Sequence, residues 1–202
     1  MKKVILLSLA FALLISATAS PQGALPVPFS IYGGGFMSFP SSPSGFKDAY
    51  KNGFHALVGL GFKTAPMAQL VPTVEYHHFG RDYSFGNLTG VDGGSLGIWL
   101  YGVNLRIAPN FPASPIGIFG IAGIGLSRLT YAKFTGINSS LVDDLNRNLP
   151  GDDSKFYYNV GAGLTFKFLP SIDLFAMVRY VSISTSGQSS KLIPFTVGLK
   201  IF

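Results

Sequence analysis

The chain has 202 residues, of which 25 are glycine, 14% are aromatic and only 12% are charged. Its length fits one domain with a substantial core, and its many glycine, phenylalanine and tyrosine residues favour strands over helices. Cysteine is absent, which excludes disulfides, thiolate metal sites and lipidated cysteines. Without Lys2 and Lys3, 13 basic residues stand against 9 acidic ones, a net charge of +4. This small, dispersed excess excludes an extended nucleic-acid surface.

Residues 1–19 have the pattern of a secretory signal peptide. Two lysines precede an apolar run at residues 4–15, and the sequence Ala-Thr-Ala at residues 17–19 is a small-residue cleavage site. The apolar run is too short to span a membrane as a helix. We therefore predict cleavage after residue 19, an extended, proline-bearing lead-in over residues 20–28 and one domain over residues 29–202.

Eight stretches alternate between apolar residues and polar or small ones, as strands with two different faces do. The clearest is Phe156 to Phe168, in which the even-numbered residues are apolar. It is slightly longer than the roughly 9–11 tilted residues that cross a bilayer core. The faces of residues 116–129 are not assigned, because apolar residues occupy both the odd and the even positions. In the stretch 69–79, Pro72 argues against a fully paired central strand. The predicted strands are residues 29–39, 53–63, 69–79, 95–107, 116–129, 156–168, 172–184 and 192–202.

The connections between these strands alternate between long and short. This asymmetry predicts a closed antiparallel eight-stranded transmembrane barrel, with long loops at one end and both termini at the other. The long loops are residues 40–52, 81–94 and 130–155, which we expect to be extracellular. The termini are then periplasmic.

The distribution of charge indicates which solvent the apolar face meets. A soluble, lipocalin-like barrel turns its apolar face inward and needs an exterior that is about 25–35% charged. The predicted strands contain too few charged residues for that, namely Lys63, Glu75, Arg106, Arg128, Lys167, Asp173, Arg179 and Lys200. We predict that the apolar face meets lipid and that the lumen is filled by side chains. The predicted interior charge network is Lys63, Glu75, Arg106, Lys167, Asp173, Arg179 and Lys200.

Aromatic residues near the predicted strand ends fit an interfacial girdle, although ordinary β-propensity also explains them. They are Tyr32, Trp99, Tyr101, Tyr157, Tyr158 and Tyr180.

Three further features of the sequence are the glycine-spaced GIFGIAGIG at residues 117–125, the NVGAGLTFKF run at residues 159–168, and the terminal Phe202. With these features and its strand pattern, the chain resembles the small eight-stranded outer-membrane barrels, the family of OmpX and of the OmpA transmembrane domain. The resemblance implies an outer membrane of the Gram-negative type, with lipid and lipopolysaccharide around the barrel. It also implies that the assembly machinery reads Phe202. Here Leu199 and Ile201 carry the apolar alternation, one residue out of step with Phe202.

The strongest catalytic candidate is the pair Glu75 and His77, which share a strand face and have the chemistry of an acid–base pair. Ser84 lies nearby in the chain, but in a loop, and the H-x-S motif of deacylase-like barrels is absent. The alternative is structural: Glu75 neutralises Arg106 or Arg179 inside the barrel, and His77 is hydrogen-bonded near the rim.

A metal site is the other reading of the histidines. The adjacent His77 and His78 must point to opposite faces of a strand, which argues against shared coordination. We predict no catalytic residue, no cofactor and no metal.

The third long loop contains a predicted helix, Leu141 to Leu149. Ser140 and Asp143 have capping-box spacing, three leucines recur every fourth residue, and a Pro-Gly pair ends the run. Its acidic residues are candidates for bridging divalent cations to lipopolysaccharide; they are Asp143, Asp144, Asp152 and Asp153. The alternative is a solvated loop whose leucines pack on the barrel rim. The other long loops offer aromatic residues for docking or for packing, namely Phe46, Tyr50, Tyr83 and Phe85.

These observations predict an outer-membrane barrel with a structural or adhesive role, no sizeable pore and no catalysis. Two other classes of function remain open: a lipid A-modifying, deacylase-like barrel enzyme, and a small channel.

Overall fold

The structure is a computed structural model that describes residues 29–83, 91–109, 114–136, 139–149, 151, 153–185 and 188–202. The predicted signal peptide and the lead-in lie outside the described residues. In chain order the elements are β1 (Phe29–Ser42), α1 (Ser44–Ala49), β2 (Gly53–Ala65), β3 (Ala68–Phe79), β4 (Val91–Gly93), β5 (Leu96–Ile107), β6 (Ile116–Tyr131), β7 (Phe134–Gly136), α2 (Ser139–Arg147), β8 (Asp153–Leu169), β9 (Ile172–Ile183) and β10 (Ser190–Ile201).

Eight of these strands close into one antiparallel barrel. The order around it is β1, β2, β3, β5, β6, β8, β9 and β10, and β10 pairs again with β1. Each barrel strand therefore lies beside the barrel strands that precede and follow it in the chain, and the first pairs with the last. The predicted all-β barrel is confirmed, and the strand bounds differ from prediction by only a few residues.

The two ends of the barrel differ in their connections. Short connections follow β2, β5 and β8, and β1 begins and β10 ends at the same edge; we call this the turn end. The opposite edge, the loop end, carries the other four connections. Three of them are longer than any connection at the turn end, and these include both helices. There, β4 and β7 pair as a separate two-stranded ribbon.

The outer face of the barrel is apolar on every strand. One exposed aliphatic side chain from each strand illustrates this: Ile31, Val58, Val74, Val103, Ile124, Val160, Val178 and Val197. Most polar and charged residues of the same strands, among them Glu75, Arg106 and Arg179, point inward because successive side chains alternate between faces. A soluble monomer rarely exposes an apolar patch of more than a few hundred Å², so a band that encircles the molecule indicates an apolar solvent.

The lumen contains two apolar layers with polar side chains between them. The layer nearer the turn end contains Tyr32, Leu57, Val71, Phe119, Ile121, Phe175 and Met177. The layer nearer the loop end contains Phe46, Phe79, Leu96, Ile98, Leu100, Leu129, Tyr157, Val181, Ile183 and Leu192. An eight-stranded barrel is just wide enough for side chains to fill it in this way.

Glycines make room for the largest luminal side chains. A Cβ on Gly102 would lie 2.1 Å from the Tyr157 hydroxyl, and one on Gly125 would lie 2.7 Å from the same ring. A side chain at either position would therefore collide with the Tyr157 ring.

Prolines interrupt the strand ladders without ending the strands. On the β5 side, Pro72 is paired with Val103. On the β2 side, the residue pairs run from Gly59–Thr73 directly to Phe62–Leu70, so the ladder skips Pro72. Proline has no N–H to donate, so the interrupted ladder on the β2 side is the expected result. Pro72 therefore lies within a barrel strand that is fully paired on one side only.

The structure also corrects several expectations. Tyr32 and Tyr157 point into the lumen and are buried, so they do not belong to an interfacial girdle; Trp99, Tyr101 and Tyr158 are exposed on the outer face.

Some elements were not predicted, and one was displaced. Helix α1 and the β4–β7 ribbon were not predicted. Helix α2 begins and ends two residues earlier than predicted. The faces of β6, which the sequence did not assign, are now defined: Phe119 and Ile121 point inward. Neither helix in the described part of the chain is long and apolar enough to span a membrane.

Candidate functional site

The centre of the lumen holds a buried ion pair between β3 and β9. Arg179 donates from Nη1 to Glu75 Oε1 over 2.7 Å and from Nη2 to Glu75 Oε2 over 2.5 Å. Both side chains are inaccessible to solvent. The two parallel hydrogen bonds match the planar guanidinium to the carboxylate, which is the strongest form of such a pair. Of the two predicted structural partners for Glu75, the structure places Arg179 in contact with it.

Two histidines and two hydroxyl groups extend this pair across the lumen. Ser38 Oγ lies 2.8 Å from His77 Nδ1 and 3.0 Å from His55 Nδ1. His55 Nε2 lies 2.9 Å from Thr196 Oγ1, and His77 Nε2 lies 3.5 Å from Glu75 Oε2. The two imidazole rings stack with their centroids 5.0 Å apart. Five strands, β1, β2, β3, β9 and β10, thus contribute to one connected polar layer.

The single hydroxyl proton of Ser38 fixes the direction of these hydrogen bonds. If His77 directs its Nε2–H towards Glu75, its Nδ1 accepts from Ser38, and Ser38 then accepts from His55 Nδ1–H. His55 Nε2 in turn accepts from the Thr196 hydroxyl. The reverse direction would place the lone pair of His77 Nε2 against a carboxylate. We therefore assign one directed set of hydrogen bonds from Thr196 through His55 and Ser38 to His77, whose Nε2 faces Glu75 Oε2 at 3.5 Å without forming a hydrogen bond.

This layer contains the residue types of a serine–histidine–acid hydrolase, but its surroundings prevent access. Ser38, His77 and Glu75 are all buried, and both Glu75 oxygens are engaged by Arg179. Apolar layers lie on either side. Between this polar layer and the turn end, the described side chains leave a gap of about 20 Å³, room for about one water molecule. Among the described residues, Ser38 is therefore closed off from solvent.

The sequence identified Glu75 and His77 but missed Ser38, His55 and Thr196. These three residues lie on β1, β2 and β10, and only the register of the closed barrel brings them to the same level. One signal in the sequence could have found them: each is a polar residue at a position that the alternation of its predicted strand places on the inward face.

The remaining predicted interior charges gather at the turn end. Arg106, Asp173 and Lys200 are buried. Lys63 and Lys167 are exposed and line the mouth of a cavity there. The structure therefore corrects the predicted interior charge network: these two lysines belong to the rim, and the central ion pair is separate from the turn-end charges. Arg128 is exposed on the outward parity of β6.

Phe202 lies just beyond β10 at the turn end and is 59% exposed. Its backbone N–H donates to the Ser171 carbonyl over 3.1 Å, and the Lys200 ammonium lies 4.0 Å from the centre of its ring. Lys200, two residues before Phe202 and therefore on the same side of the strand alternation, points inward, whereas Leu199 and Ile201 point outward. The offset expected from the sequence is therefore present in the structure.

No group of three or more potential metal ligands occurs within the described residues. His77 points into the lumen, and His78 lies on the outer face against the Phe54 ring, with centroids 5.2 Å apart.

The loop end is closed by an aromatic plug. Phe46 of α1 is buried, and its ring centroid lies 5.6 Å from that of Phe79 and 5.8 Å from that of Tyr50. The Arg81 guanidinium lies 5.3 Å from the Tyr50 ring and 5.8 Å from the Phe134 ring. Three outer loops therefore meet at Arg81, which joins them through cation–π contacts.

The Asn146 side chain attaches helix α2 to the β4–β7 ribbon. Asn146 Oδ1 accepts from the Phe134 N–H over 2.8 Å, and Asn146 Nδ2 donates to the Phe134 carbonyl over 3.0 Å. On the partner strand, the Gly93 N–H donates to Asp92 Oδ1 over 2.7 Å, and the Tyr83 hydroxyl lies 3.0 Å from the same oxygen. These hydrogen bonds lower the pKa of the Asp92 carboxyl. We call α2 and the ribbon together the loop platform.

The structure separates the predicted docking residues. Phe46 is buried as part of the plug, whereas Asp143 and Asp144 are exposed on α2. Ser84, Phe85 and Asp152 lie outside the described residues, and the side chain of Asp153 is not described.

The barrel is similar to solved structures of small outer-membrane proteins. Neisserial surface protein A (NspA) aligns with a TM-score of 0.60 and 16% identity, over 86% of this chain and 96% of that chain. Ail, the attachment invasion locus protein of Yersinia pestis, aligns with a TM-score of 0.52 and 17% identity, over 86% and 96%. OprG, an outer membrane protein of Pseudomonas aeruginosa, aligns with a TM-score of 0.52 and 13% identity, over 86% and 94%.

No protein-family model matches the chain, and no curated protein sequence gives a significant match. At these identities the structural similarity establishes the fold. The resemblance to small eight-stranded outer-membrane barrels is thereby confirmed.

Proposed function

We propose that this chain is an integral outer-membrane barrel that presents its loop end to the exterior and acts there as a structural or adhesive surface protein. The observation that carries the proposal is the apolar band on all eight barrel strands, which combines an apolar exterior with a charged interior. In this arrangement the turn end and both chain termini are periplasmic, and lipid and lipopolysaccharide surround the band.

Fractionation of cells that express the full chain tests membrane insertion. We expect the protein in the outer-membrane fraction, with a different migration on a denaturing gel before and after boiling, because a closed barrel resists detergent until it is heated. A protein that is soluble, or whose migration does not change on boiling, contradicts the proposal.

The side-chain-filled lumen supports a function without conduction or catalysis. The buried Glu75–Arg179 pair and the two apolar layers lie across the path of any solute. We expect no single-channel conductance in planar bilayers and no change in lipid A mass spectra when the gene is deleted. Stable conductance steps favour the channel alternative, and a loss of deacylated lipid A favours the enzyme.

The loop platform supports the adhesive part of the proposal. It presents α2 on a ribbon that hydrogen bonds hold in place, with Asp143 and Asp144 exposed. The Yersinia pestis protein with a similar fold is named for attachment and invasion; here the partner is proposed only as an extracellular one that contacts loops 40–52, 81–94 and 130–155. Replacement of residues 139–149 by a short Gly-Ser linker should abolish binding of expressing cells to immobilised host-cell surfaces while the barrel still assembles. Unchanged binding by this variant contradicts a role for the platform.

Assembly is proposed to depend on Phe202, which extends from the end of β10 into the space beside the turn end. We expect Phe202→Ala to reduce the amount of folded protein in the outer membrane. Phe168→Ala, near the turn end of β8, is the matched control and should leave it unchanged. Equal yields from all three proteins would show that Phe202 carries no assembly signal.

A further inference from the structure

A cavity of about 520 Å³ opens at the turn end of the barrel. Its charged lining consists of four cations and one carboxylate, namely Lys63, Arg106, Lys167, Lys200 and Asp173. The side chains therefore give it three surplus positive charges, and a carboxylate at Phe202 would still leave two. Residues 1–28 and 110–113, which adjoin this end in sequence, contain no acidic residue. The chain thus supplies no further carboxylate from these segments to balance the cavity.

Arg106 forms the inner part of this site and is only 6% exposed. Its Nη2 donates to Thr165 Oγ1 over 2.8 Å, and its guanidinium carbon lies 4.1 Å from the centre of the Phe119 ring. Its Nε–H is buried without a hydrogen-bond partner, and no carboxylate among the described residues forms an ion pair with it. Arg179, in the same lumen, has a carboxylate bound through two hydrogen bonds. Arg106 therefore lines the cavity with a guanidinium that has no carboxylate partner among the described residues and whose Nε–H is unsatisfied.

Three lysines surround the approach to Arg106. Lys200 is buried, with its ammonium between the Phe202 ring at 4.0 Å and the Tyr32 ring at 6.0 Å. Lys63 and Lys167 stand exposed at the mouth. Asp173 is aligned with both Lys167 and Lys200 across the strand ladders, so its one charge is opposed by two. An anion that entered the cavity would meet flexible ammonium groups first and a fixed guanidinium last.

We propose that the turn-end cavity binds a phosphate-bearing anion, with Arg106 as the inner ligand and Lys63, Lys167 and Lys200 as the outer ones. A planar guanidinium matches the spacing of phosphate oxygens, and ammonium groups act as point charges around them. The cavity volume falls within the range of ordinary small-molecule sites, roughly 300–1,000 Å³. Two sources fit this chemistry: a soluble phosphate compound, and the head group of a lipid beside the barrel mouth.

Calorimetric titration of the mature chain, refolded in an uncharged maltoside detergent at low salt, tests the site. The soluble probes are pyrophosphate and inorganic phosphate, and the lipid probe is phosphatidic acid in mixed micelles against phosphatidylcholine. We expect saturable binding that weakens as sodium chloride is added, because surface charge attraction is screened by salt. Binding of pyrophosphate without lipid assigns a soluble ligand. Binding of phosphatidic acid alone, if it depends on Arg106, assigns a head group.

Variants distinguish a built site from general attraction to a basic protein. Arg106→Gln should weaken binding at least about tenfold, equivalent to about 1.4 kcal/mol. The double variant Lys63→Gln/Lys167→Gln changes exposed positions only, so it keeps the test decisive if Arg106→Gln does not fold. Lys191→Gln, at the loop end of β10, is the matched control and should bind like the unaltered chain.

Absence of saturable binding to all three phosphate probes would overturn the proposal, as would equal weakening by Lys191→Gln and by the double rim variant. Folding of every variant is checked by its migration before and after boiling. A failure to bind therefore remains distinct from a failure to form the barrel, and only the latter counts against the proposed function.

Discussion

The Glu75–Arg179 ion pair makes single substitutions in the lumen costly. Removal of one partner leaves the other charge buried and unpaired, which typically costs about 3–5 kcal/mol, whereas replacement of both by uncharged residues is often close to neutral. We expect Glu75→Gln and Arg179→Met each to lower the free energy of unfolding strongly, and the double variant to recover most of that loss. Urea unfolding in lipid vesicles measures all three. Costs that simply add in the double variant would contradict a direct pairing.

A residue-scale prediction of a different kind concerns the space around Tyr157. A Cβ on Gly102 would lie 2.1 Å from the Tyr157 hydroxyl and 2.8 Å from the Ile124 carbonyl oxygen. Since backbone atoms do not move aside easily, Gly102→Ala should destabilise the barrel by about 1–3 kcal/mol. Gly120→Ala is the matched control, because a Cβ there meets open space. Equal stability of the two variants in the same unfolding assay would show that Tyr157 is not tightly packed.

The central polar layer shows how far single residues are predictable from sequence. Glu75 and His77 were identifiable because they share a parity on one strand. Ser38 and Thr196 come from distant parts of the chain, and only the register of the closed barrel places them beside His55. The inward positions of Tyr32 and Tyr157 escaped prediction for a related reason. Aromatic residues fit both a membrane interface and a tightly filled lumen.

Among the elements, helix α2 is expected to depend on Asn146. The Asn146 side chain makes two hydrogen bonds to the backbone of Phe134 in β7. Asn146→Ala should therefore increase amide hydrogen exchange at residues 134–136 and along α2, without changing the global stability of the barrel. Asn148→Ala is the control, because the Asn148 side chain donates to the Asp144 carbonyl within its own segment. Unchanged exchange in Asn146→Ala would mean that other contacts hold the helix.

Elements with a strict two-residue period were predictable, and the others were not. Six barrel strands, all except β1 and β6, showed their faces in the sequence because one face meets an apolar solvent and the other a polar interior. β6 did not, since Phe119 and Ile121 point into an apolar layer of the lumen while Ile118 and Ile124 point outward. The β4–β7 ribbon has only three residues per strand, too few to show a period.

At the scale of the whole molecule, the band of apolar side chains predicts how the barrel responds to an outward-facing charge. Val160 lies near the middle of β8 and is 53% exposed. Arginine facing lipid at the bilayer midplane costs about 2–4 kcal/mol, and the cost falls to about 0–1 near the interfaces. Val160→Arg should thus destabilise the barrel in vesicles far more than Phe168→Arg, near the turn end of the same strand. Two equal and small costs would indicate that water surrounds the band.

The most direct test of the orientation uses the single tryptophan of the chain, Trp99, which lies on the outer face of β5. The measurement is fluorescence quenching by bromine atoms on the acyl chains of vesicles that contain the refolded barrel. We predict strong quenching of Trp99, and also of a tryptophan introduced by Val160→Trp in a Trp99→Phe background. Phe119→Trp in that background should escape quenching, because Phe119 points into the lumen. Quenching of the Phe119→Trp variant, with none at positions 99 and 160, would contradict an outer face that meets lipid.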